Sequence, residues 1–258
     1  MENIEHKHVE VKGLKLHVAE IGCGPKVVVF LHGFPEIWYT WRHQMIAVAN
    51  KGYRAIAFDF RGYGLSDQPL EPEKATFQDL IDDVVGLLDS LAINKVPGRA
   101  EADFGRFDVK SVIRNIYTLF SRSEIPIANE NQEIMDLFDP STPLPSWFTE
   151  EDLSVYASLY EKSGFRYALQ IPYRRFSVDI GISDPKVNAP ALLIMGEKDY
   201  CMKFPGMEDY IRSGTLKSLV PDLDIIFLED GCHFVHEQLP HLANQLIITF
   251  LDKHSTTA

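Results

Sequence analysis

The N-terminal part of the chain carries an apolar pattern that predicts strands with one helix between them. Residues 5–21 alternate between apolar and polar side chains around Gly13, which is typical of two half-buried strands joined by a turn. A continuous apolar run within residues 26–31 predicts a strand buried on both faces. Residues 41–50 suit a helix, and the run at residues 54–60 indicates a second buried strand.

The clearest helix is predicted over residues 76–92. Thr76 can cap its first turn, and Asp79 stands three residues on, where a capping pair needs its second member. One face of this helix is apolar and consists of Phe77, Leu80, Ile81, Val84, Leu87, Leu88 and Leu91. Because strands alternate with helices, the pattern predicts an α/β protein with a mostly parallel sheet.

The middle of the chain has a different character. Residues 97–189 contain no buried-strand run, mix aromatic with charged side chains, and favour helices, for example after Thr149. We therefore expect a helical lid at residues 97–189 between two parts of one core, at residues 1–96 and 190–258.

Sheet character returns in the last third of the chain. Residues 191–195 and 224–228 each predict a strand, and both runs are too short for a core helix. Pro240 stands where a first helical turn tolerates proline, and it opens an amphipathic helix that continues past Phe250.

Composition and charge argue against some classes of partner and favour one cellular compartment. The formal net charge of −12 argues against nucleic acid and anionic membranes as partners, because both attract basic surfaces. No apolar run reaches the length of a membrane span. Three cysteines give no disulfide framework and suit a reducing compartment, so we expect a cytoplasmic protein.

Two residues of the last third are candidates for acid–base chemistry. Asp199 follows the strand predicted at residues 191–195, and His233 follows the strand predicted at residues 224–228. A histidine can activate water when a carboxylate on its other ring nitrogen fixes the tautomer and stabilises the cation. We therefore expect a hydrogen bond between the two side chains. The alternative is a surface histidine and an unrelated turn aspartate.

The segment His32-Gly33-Phe34-Pro35 follows the first buried strand and is a candidate oxyanion loop. Glycine lets the backbone approach an anion closely, and the Phe34 N–H is the expected donor. An ordinary tight turn is the alternative. Trp38 lies three residues further on and is either a wall of an apolar substrate pocket or a core tryptophan.

Together these motifs resemble a known family. The segments HGFP at residues 32–35, FDFRGYGLSD at residues 58–67 and LPSWFTEED at residues 144–152 are similar to soluble epoxide hydrolases, especially those of plants. The resemblance implies the α/β-hydrolase fold, with a mostly parallel sheet and a helical lid. It also implies the chain order nucleophile, acid, histidine, in which Asp199 and His233 are the last two members.

The resemblance implies a reaction and a further site residue. In the family an aspartate attacks the epoxide, and histidine-activated water hydrolyses the resulting ester to a vicinal diol. Tyr173 matches a lid tyrosine that donates a hydrogen bond to the epoxide oxygen, although a packing tyrosine is the alternative. The implied substrate is a small apolar epoxide, no cofactor is expected, and the oligomeric state stays open. His233 and His236 could suggest metal ligands, but a helical H-E-x-x-H pattern is lacking, so we expect no metal.

The chain departs from the family where the nucleophile belongs. The strand expected to begin at residues 93–96 should enter a G-x-D-x-G turn, but the chain continues directly with Pro97. Central strands of the core are therefore expected to be missing, whether through splicing, a gene-model error or a deliberate deletion. Asp103 resembles half of such a turn, yet Glu101 replaces the first glycine and the match to a lid segment is better.

The missing nucleophile sets the functional expectation. We expect an epoxide hydrolase whose own turnover is weak or absent. The alternative is a non-catalytic remnant that binds a ligand or regulates another protein.

Overall fold

The chain folds into two units. The computed structural model describes residues 4–11, 13–24, 26–70, 99–124, 126–129, 132–137, 139–165, 167–169 and 186–254. The first unit draws its residues from 1–115 and 149–180, and the second from 116–148 and 181–258. The helix predicted over residues 76–92 and the strand predicted at residues 93–96 lie outside the described residues. None of the described helices is long and apolar enough to cross a membrane.

The first unit contains a four-stranded sheet. Its strands are β1 (Glu5–Val11), β2 (Leu14–Ile21), β3 (Val27–Phe30) and β4 (Arg54–Phe58), in the order β1-β2-β4-β3. Strands β1 and β2 form the predicted hairpin, and Gly13 supplies the positive φ of 81° that its turn requires. Strand β4 pairs antiparallel with β2 and parallel with β3.

Strand β3 is more exposed than the sequence predicts. Phe30 is buried, but Val27 is 49% exposed and Leu31, just beyond the strand, is 38% exposed. Within the described part of the chain, β3 lies at an edge of its sheet and pairs with β4 alone. The prediction that this run is buried on both faces is therefore wrong, because Phe30 is the one buried residue of the four in the strand.

A helix packs against this sheet, and further helices follow in the middle of the chain. A short 3₁₀ turn at Trp38–Trp41 leads into α1 (Arg42–Ala49). It is followed by α2 (Arg99–Phe104), α3 (Val109–Phe120) and α4 (Glu150–Ser163). No strand occurs among the described residues between α2 and the end of α4, as the sequence predicts.

Helix α4 begins at the predicted position because Thr149 caps it. The Thr149 hydroxyl accepts the Asp152 backbone N–H at 3.0 Å, and the Asp152 carboxylate accepts the Thr149 backbone N–H at 3.1 Å. This reciprocal capping box satisfies two backbone donors that the first helical turn otherwise leaves open. Asp152 also accepts a hydrogen bond from Arg42 at 2.9 Å, which ties the start of α4 to α1.

The second unit contains a parallel strand pair. Strands β5 (Ala191–Gly196) and β6 (Leu223–Leu228) pair in register from Ala191 opposite Leu223 to Gly196 opposite Leu228. Both occur where the sequence predicts them. The remaining helices are α5 (Met207–Arg212), α6 (Val235–Gln238) and α7 (Pro240–His254), of which the last begins at the predicted proline.

A buried carboxylate joins three segments of the first unit. Asp59 follows β4 and its side chain has no exposed surface. It accepts the Trp38 backbone N–H at 2.8 Å, the His17 Nδ1 hydrogen at 2.9 Å and the Leu65 backbone N–H at 3.1 Å. Gly64 passes so close that a Cβ there would lie 2.4 Å from the Asp59 carboxylate. Only glycine therefore fits at this turn.

We predict that Asp59→Asn strongly destabilises the protein. The asparagine amide keeps one acceptor oxygen, and its NH₂ group then faces donors that the carboxylate satisfied. A buried donor that loses its acceptor costs about 1–3 kcal/mol, and urea denaturation measures the summed loss. Asp209→Asn is the control, because Asp209 is exposed. Equal unfolding midpoints for the two variants would contradict the assigned role of Asp59.

Candidate active site

Asp199 and His233 lie just beyond the carboxyl ends of β5 and β6. Asp199 caps the 3₁₀ turn at Tyr200–Lys203, three residues after β5 ends. His233 lies in the connection between β6 and α6. Because parallel strands end at the same edge of a sheet, the two connections emerge side by side, which is where α/β proteins place functional groups.

A close backbone approach holds these two connections together. A Cβ on Gly196 would lie 2.0 Å from the Gly231 carbonyl oxygen, so only glycine fits at this end of β5. The same carbonyl accepts the Lys198 backbone N–H at 2.9 Å, and Glu197 N–H donates to Leu228 O at 2.9 Å. Asp199 and His233 are therefore positioned by backbone contacts a few residues away.

The predicted hydrogen bond between the acid and the histidine is present. His233 Nδ1 lies 3.1 Å and 3.2 Å from the two carboxylate oxygens of Asp199. The Asp199 side chain is 8% exposed and the His233 side chain is 35% exposed. This arrangement occupies Nδ1 and leaves Nε2 as the nitrogen that can exchange a proton with water or a ligand.

His233 holds its second ring proton more firmly than a free histidine does. Burial favours the neutral forms of both groups, but the hydrogen bond and the opposite charges outweigh it. The pKa of Asp199 is consequently lowered, and the pKa of His233 is raised from 6.5 to about 10. At neutral pH the imidazole is therefore a cation. It can donate a proton, but it must first lose one before it can act as a base.

An aromatic cluster supports the residue next to His233. The Tyr117 ring stacks on Phe148 at 4.1 Å and on Phe234 at 4.5 Å between centroids. The buried Tyr117 hydroxyl donates to Glu237 Oε1 at 3.0 Å, which anchors the cluster to α6. Stacked rings with a satisfied hydroxyl give His233 a rigid neighbour.

Cys201 is a part of this site that sequence reasoning missed. Its backbone N–H donates to Asp199 Oδ1 at 2.9 Å, and its Sγ lies 3.7 Å from His233 Nδ1. The only signal in the sequence is its place two residues after the acid. Asp199, Cys201 and His233 each offer a donor atom, and these atoms lie within 4.8 Å of one another, a spacing that suits a metal ion.

The candidate oxyanion loop belongs to the first unit and follows β3. The Phe60 backbone N–H donates to His32 Nε2 at 3.1 Å, so the ring hydrogen stands on Nδ1 and bonds to Gly33 O at 2.8 Å. Burial lowers the pKa of His32, which keeps this neutral form. The Gly33 N–H donates to the Glu36 carboxylate at 2.8 Å. His32 therefore shapes the loop, and the donor role of Phe34 stays a prediction.

The structure places Trp38 in the core of the first unit. It is 6% exposed, and its ring packs edge-on against His6 at 4.8 Å and Tyr39 at 5.6 Å. These contacts favour the core alternative, and a role for Trp38 in a substrate pocket stays a prediction. Tyr173 lies outside the described residues.

Asp103 lies on α2 and does not form a strand-to-helix turn. Its side chain is buried, and it accepts a hydrogen bond from Arg106. A nucleophile turn requires a preceding strand and a strained backbone that exposes the carboxylate. A helical, buried and ion-paired aspartate lacks this geometry.

Comparison with known proteins places this arrangement in a family. Residues 26–96 match the model of the alpha/beta hydrolase fold. Epoxide hydrolase 3 of Siraitia grosvenorii is 32% identical, in an alignment that covers 98% of this chain and 100% of the relative. The chain belongs to the epoxide hydrolase family.

Solved structures of epoxide hydrolases share the fold. An epoxide hydrolase mutant from Vigna radiata is 31% identical with a TM-score of 0.84, covering 98% of this chain and 100% of that one. Epoxide hydrolase I of potato, Solanum tuberosum, is 30% identical with a TM-score of 0.81, covering 97% and 100%. The predicted α/β-hydrolase fold is therefore confirmed.

The alignment with the Siraitia enzyme is longer than the chain itself. It extends over 319 positions, whereas this chain has 258 residues. The Siraitia enzyme therefore has residues that have no counterpart in this chain.

We predict that the His233 imidazole titrates far above the usual range. In a pH titration followed by NMR, its ring signals should move near pH 10 rather than at 6.5. In Asp199→Asn the anion is lost while burial and the contact with Cys201 remain, so the pKa of His233 should fall well below that of the unaltered protein. Asp230→Asn removes an exposed carboxylate and should leave it high. Titration of the unaltered protein near 6.5 would refute the assigned coupling.

Proposed function

We propose that the family form of this protein hydrolyses a small apolar epoxide to a vicinal diol, and that this chain itself turns over weakly or not at all. The hydrogen-bonded pair of Asp199 and His233 supports the first part, because it is the acid–histidine pair that the second step of such a reaction uses. The absence of a matched nucleophile in the sequence supports the second part.

The proposed reaction has two steps that need different groups. In the first, a carboxylate attacks an epoxide carbon while tyrosine hydroxyls protonate the departing oxygen, and an ester forms. Tyr173 is our candidate for one of these hydroxyls. In the second, water activated by His233 attacks the ester carbonyl, and the Phe34 N–H stabilises the oxyanion. The chain retains candidates for the second step and lacks the attacking carboxylate of the first.

We place the missing segment at the joint between Val96 and Pro97. The match to the alpha/beta hydrolase model ends at residue 96, and the relative's alignment is longer than this chain. On this proposal residues 1–96 and 190–258 are two parts of one core, and residues 97–189 are what remains of the lid. The nucleophile turn and the central strands beside it would occupy the joint.

The protonation state of His233 also affects the second step. The hydrogen bond to Asp199 raises the pKa of the histidine to about 10, so the histidine must release a proton before it can activate water. Without an attacking carboxylate, direct hydrolysis relies on acid–base assistance alone, which contributes about 10²–10⁴-fold. Covalent catalysis is lost entirely.

A cytoplasmic location is part of the proposal. All three cysteines, Cys23, Cys201 and Cys232, are free thiols. Free thiols suit a reducing compartment.

We predict negligible diol formation from stilbene-type or fatty epoxides, and no ester intermediate. A single-turnover reaction in ¹⁸O-water tests this, because an ester route first places an enzyme-derived oxygen in the diol. Rapid turnover with that label, abolished by Asp103→Ala but not by Asp108→Ala, would show that Asp103 is a nucleophile after all. Asp108 is the control because it is an exposed carboxylate nearby.

We further predict that restoring the joint restores activity. The segment that the Siraitia relative carries between the counterparts of Val96 and Pro97 would be inserted there. The insert should give diol formation, since it returns the nucleophile and its strands to residues that already hold the acid–histidine pair. The same insert with asparagine in place of its turn aspartate is the control and should be inactive. A folded, soluble insertion variant without diol formation would overturn the proposal.

A further inference from the structure

We propose that Asp199, Cys201 and His233 form a binding site for a soft divalent cation of the Zn²⁺ class. The three side chains supply a carboxylate, a thiol and an imidazole, which are the ligand types that Zn²⁺ takes in proteins. Their donor atoms all lie within 4.8 Å of one another. The inference concerns the binding of a cation and does not depend on epoxide turnover.

The spacing of the donors fits a tetrahedral ion. Zinc bond lengths of about 2.3 Å to sulfur and about 2.0–2.2 Å to nitrogen and oxygen imply edges of about 3.6 Å for S···N and about 3.3 Å for N···O. The observed distances are 3.7 Å from Cys201 Sγ to His233 Nδ1 and 3.1 Å from His233 Nδ1 to Asp199 Oδ1. Two of the three edges of a tetrahedral face therefore already have nearly the required length, and the third, between Cys201 Sγ and the Asp199 carboxylate, is within 4.8 Å.

The surroundings of Asp199, Cys201 and His233 suit a metal ion with one coordination position open to solvent. Asp199 is buried, Cys201 is half-buried, and the His233 side chain is 35% exposed, so one side of the cluster reaches solvent. The Cys201 backbone N–H holds Asp199 Oδ1 at 2.9 Å, which orients this ligand as outer partners do at metal sites. A water molecule can complete the coordination from the exposed side.

Cation binding and the acid–histidine pair exclude each other. A cation at His233 Nδ1 replaces the hydrogen that this nitrogen shares with Asp199, and the thiol of Cys201 releases its proton on binding. An occupied site therefore holds the histidine in place and removes its acidic hydrogen at Nδ1. For any reaction that uses this pair, the cation is an inhibitor.

The other two cysteines differ from Cys201 in ways that make the test selective. Burial raises the pKa of the Cys232 thiol to about 11, so it stays protonated and binds metal poorly. Cys23 is exposed and lies in the first unit. Cys23→Ser is thus a matched control that removes a free thiol outside the cluster.

Titration of the purified full-length chain with Co²⁺ tests the site. Binding should produce a near-ultraviolet thiolate-to-cobalt charge-transfer band with the visible bands of a tetrahedral ion, and Zn²⁺ should displace the cobalt. Cys201→Ser should remove the charge-transfer band and weaken binding by at least about 10- to 100-fold, the loss that even outer partners of metal ligands cause. Cys23→Ser should retain the band and the affinity.

Two results would overturn the proposal. One is the absence of a charge-transfer band from the unaltered protein at a millimolar cobalt concentration. The other is a band that survives Cys201→Ser or disappears in Cys23→Ser. If Cys201→Ser does not fold, alkylation of the unaltered protein decides, with the modified thiols mapped by mass spectrometry. Zn²⁺ should protect Cys201 from iodoacetamide and leave Cys23 reactive, and equal protection of both would also overturn it.

Discussion

A carboxylate that is withdrawn from water must be matched by hydrogen-bond donors, and this requirement organises both units. In the first unit, Asp59 accepts hydrogen bonds from a strand, a 3₁₀ turn and a glycine-rich turn. In the second unit, Asp199 accepts hydrogen bonds from the backbone N–H of Cys201 and from the imidazole of His233. Each acid fixes several segments at once, because an unmatched buried charge costs far more than any single contact contributes.

Because the buried Asp199 needs a donor, the Asp199–His233 pair can form without any catalytic activity. The attraction that holds His233 against Asp199 also raises the pKa of the histidine to about 10. Both strands that carry the pair are contiguous with it in sequence, and their close approach depends on Gly196 and Gly231. The pair therefore forms whether or not a nucleophile is present. The presence of the pair does not by itself establish turnover.

Local patterns in the sequence predict much of the fold. The hairpin around Gly13, the helix that begins after Thr149 and the helix start at Pro240 depend on neighbouring residues, and all three occur as predicted. The Asp199–His233 bond was predictable because each residue directly follows a recognisable strand. These features need no knowledge of distant parts of the chain.

The features that escaped prediction depend on contacts between distant segments. The burial of Asp59 involves His17, which lies 42 residues away in the chain. The partial exposure of Val27 depends on what packs against β3, and an apolar run does not reveal its neighbours. The closeness of Cys201 to His233 arises from two separate connections, across 32 residues. Periodicity and spacing carry no information on such pairings.

The position of β3 has a consequence for the amount of protein in a cell. Among the described residues β3 has a partner strand on one side only, and its exposed Val27 adds apolar surface that other chains can contact. Chaperones and proteases act on such surfaces continuously, and a small loss of stability changes steady-state abundance several-fold. The steady-state concentration of this chain in a cell should therefore respond to the capacity of quality control as well as to its rate of synthesis.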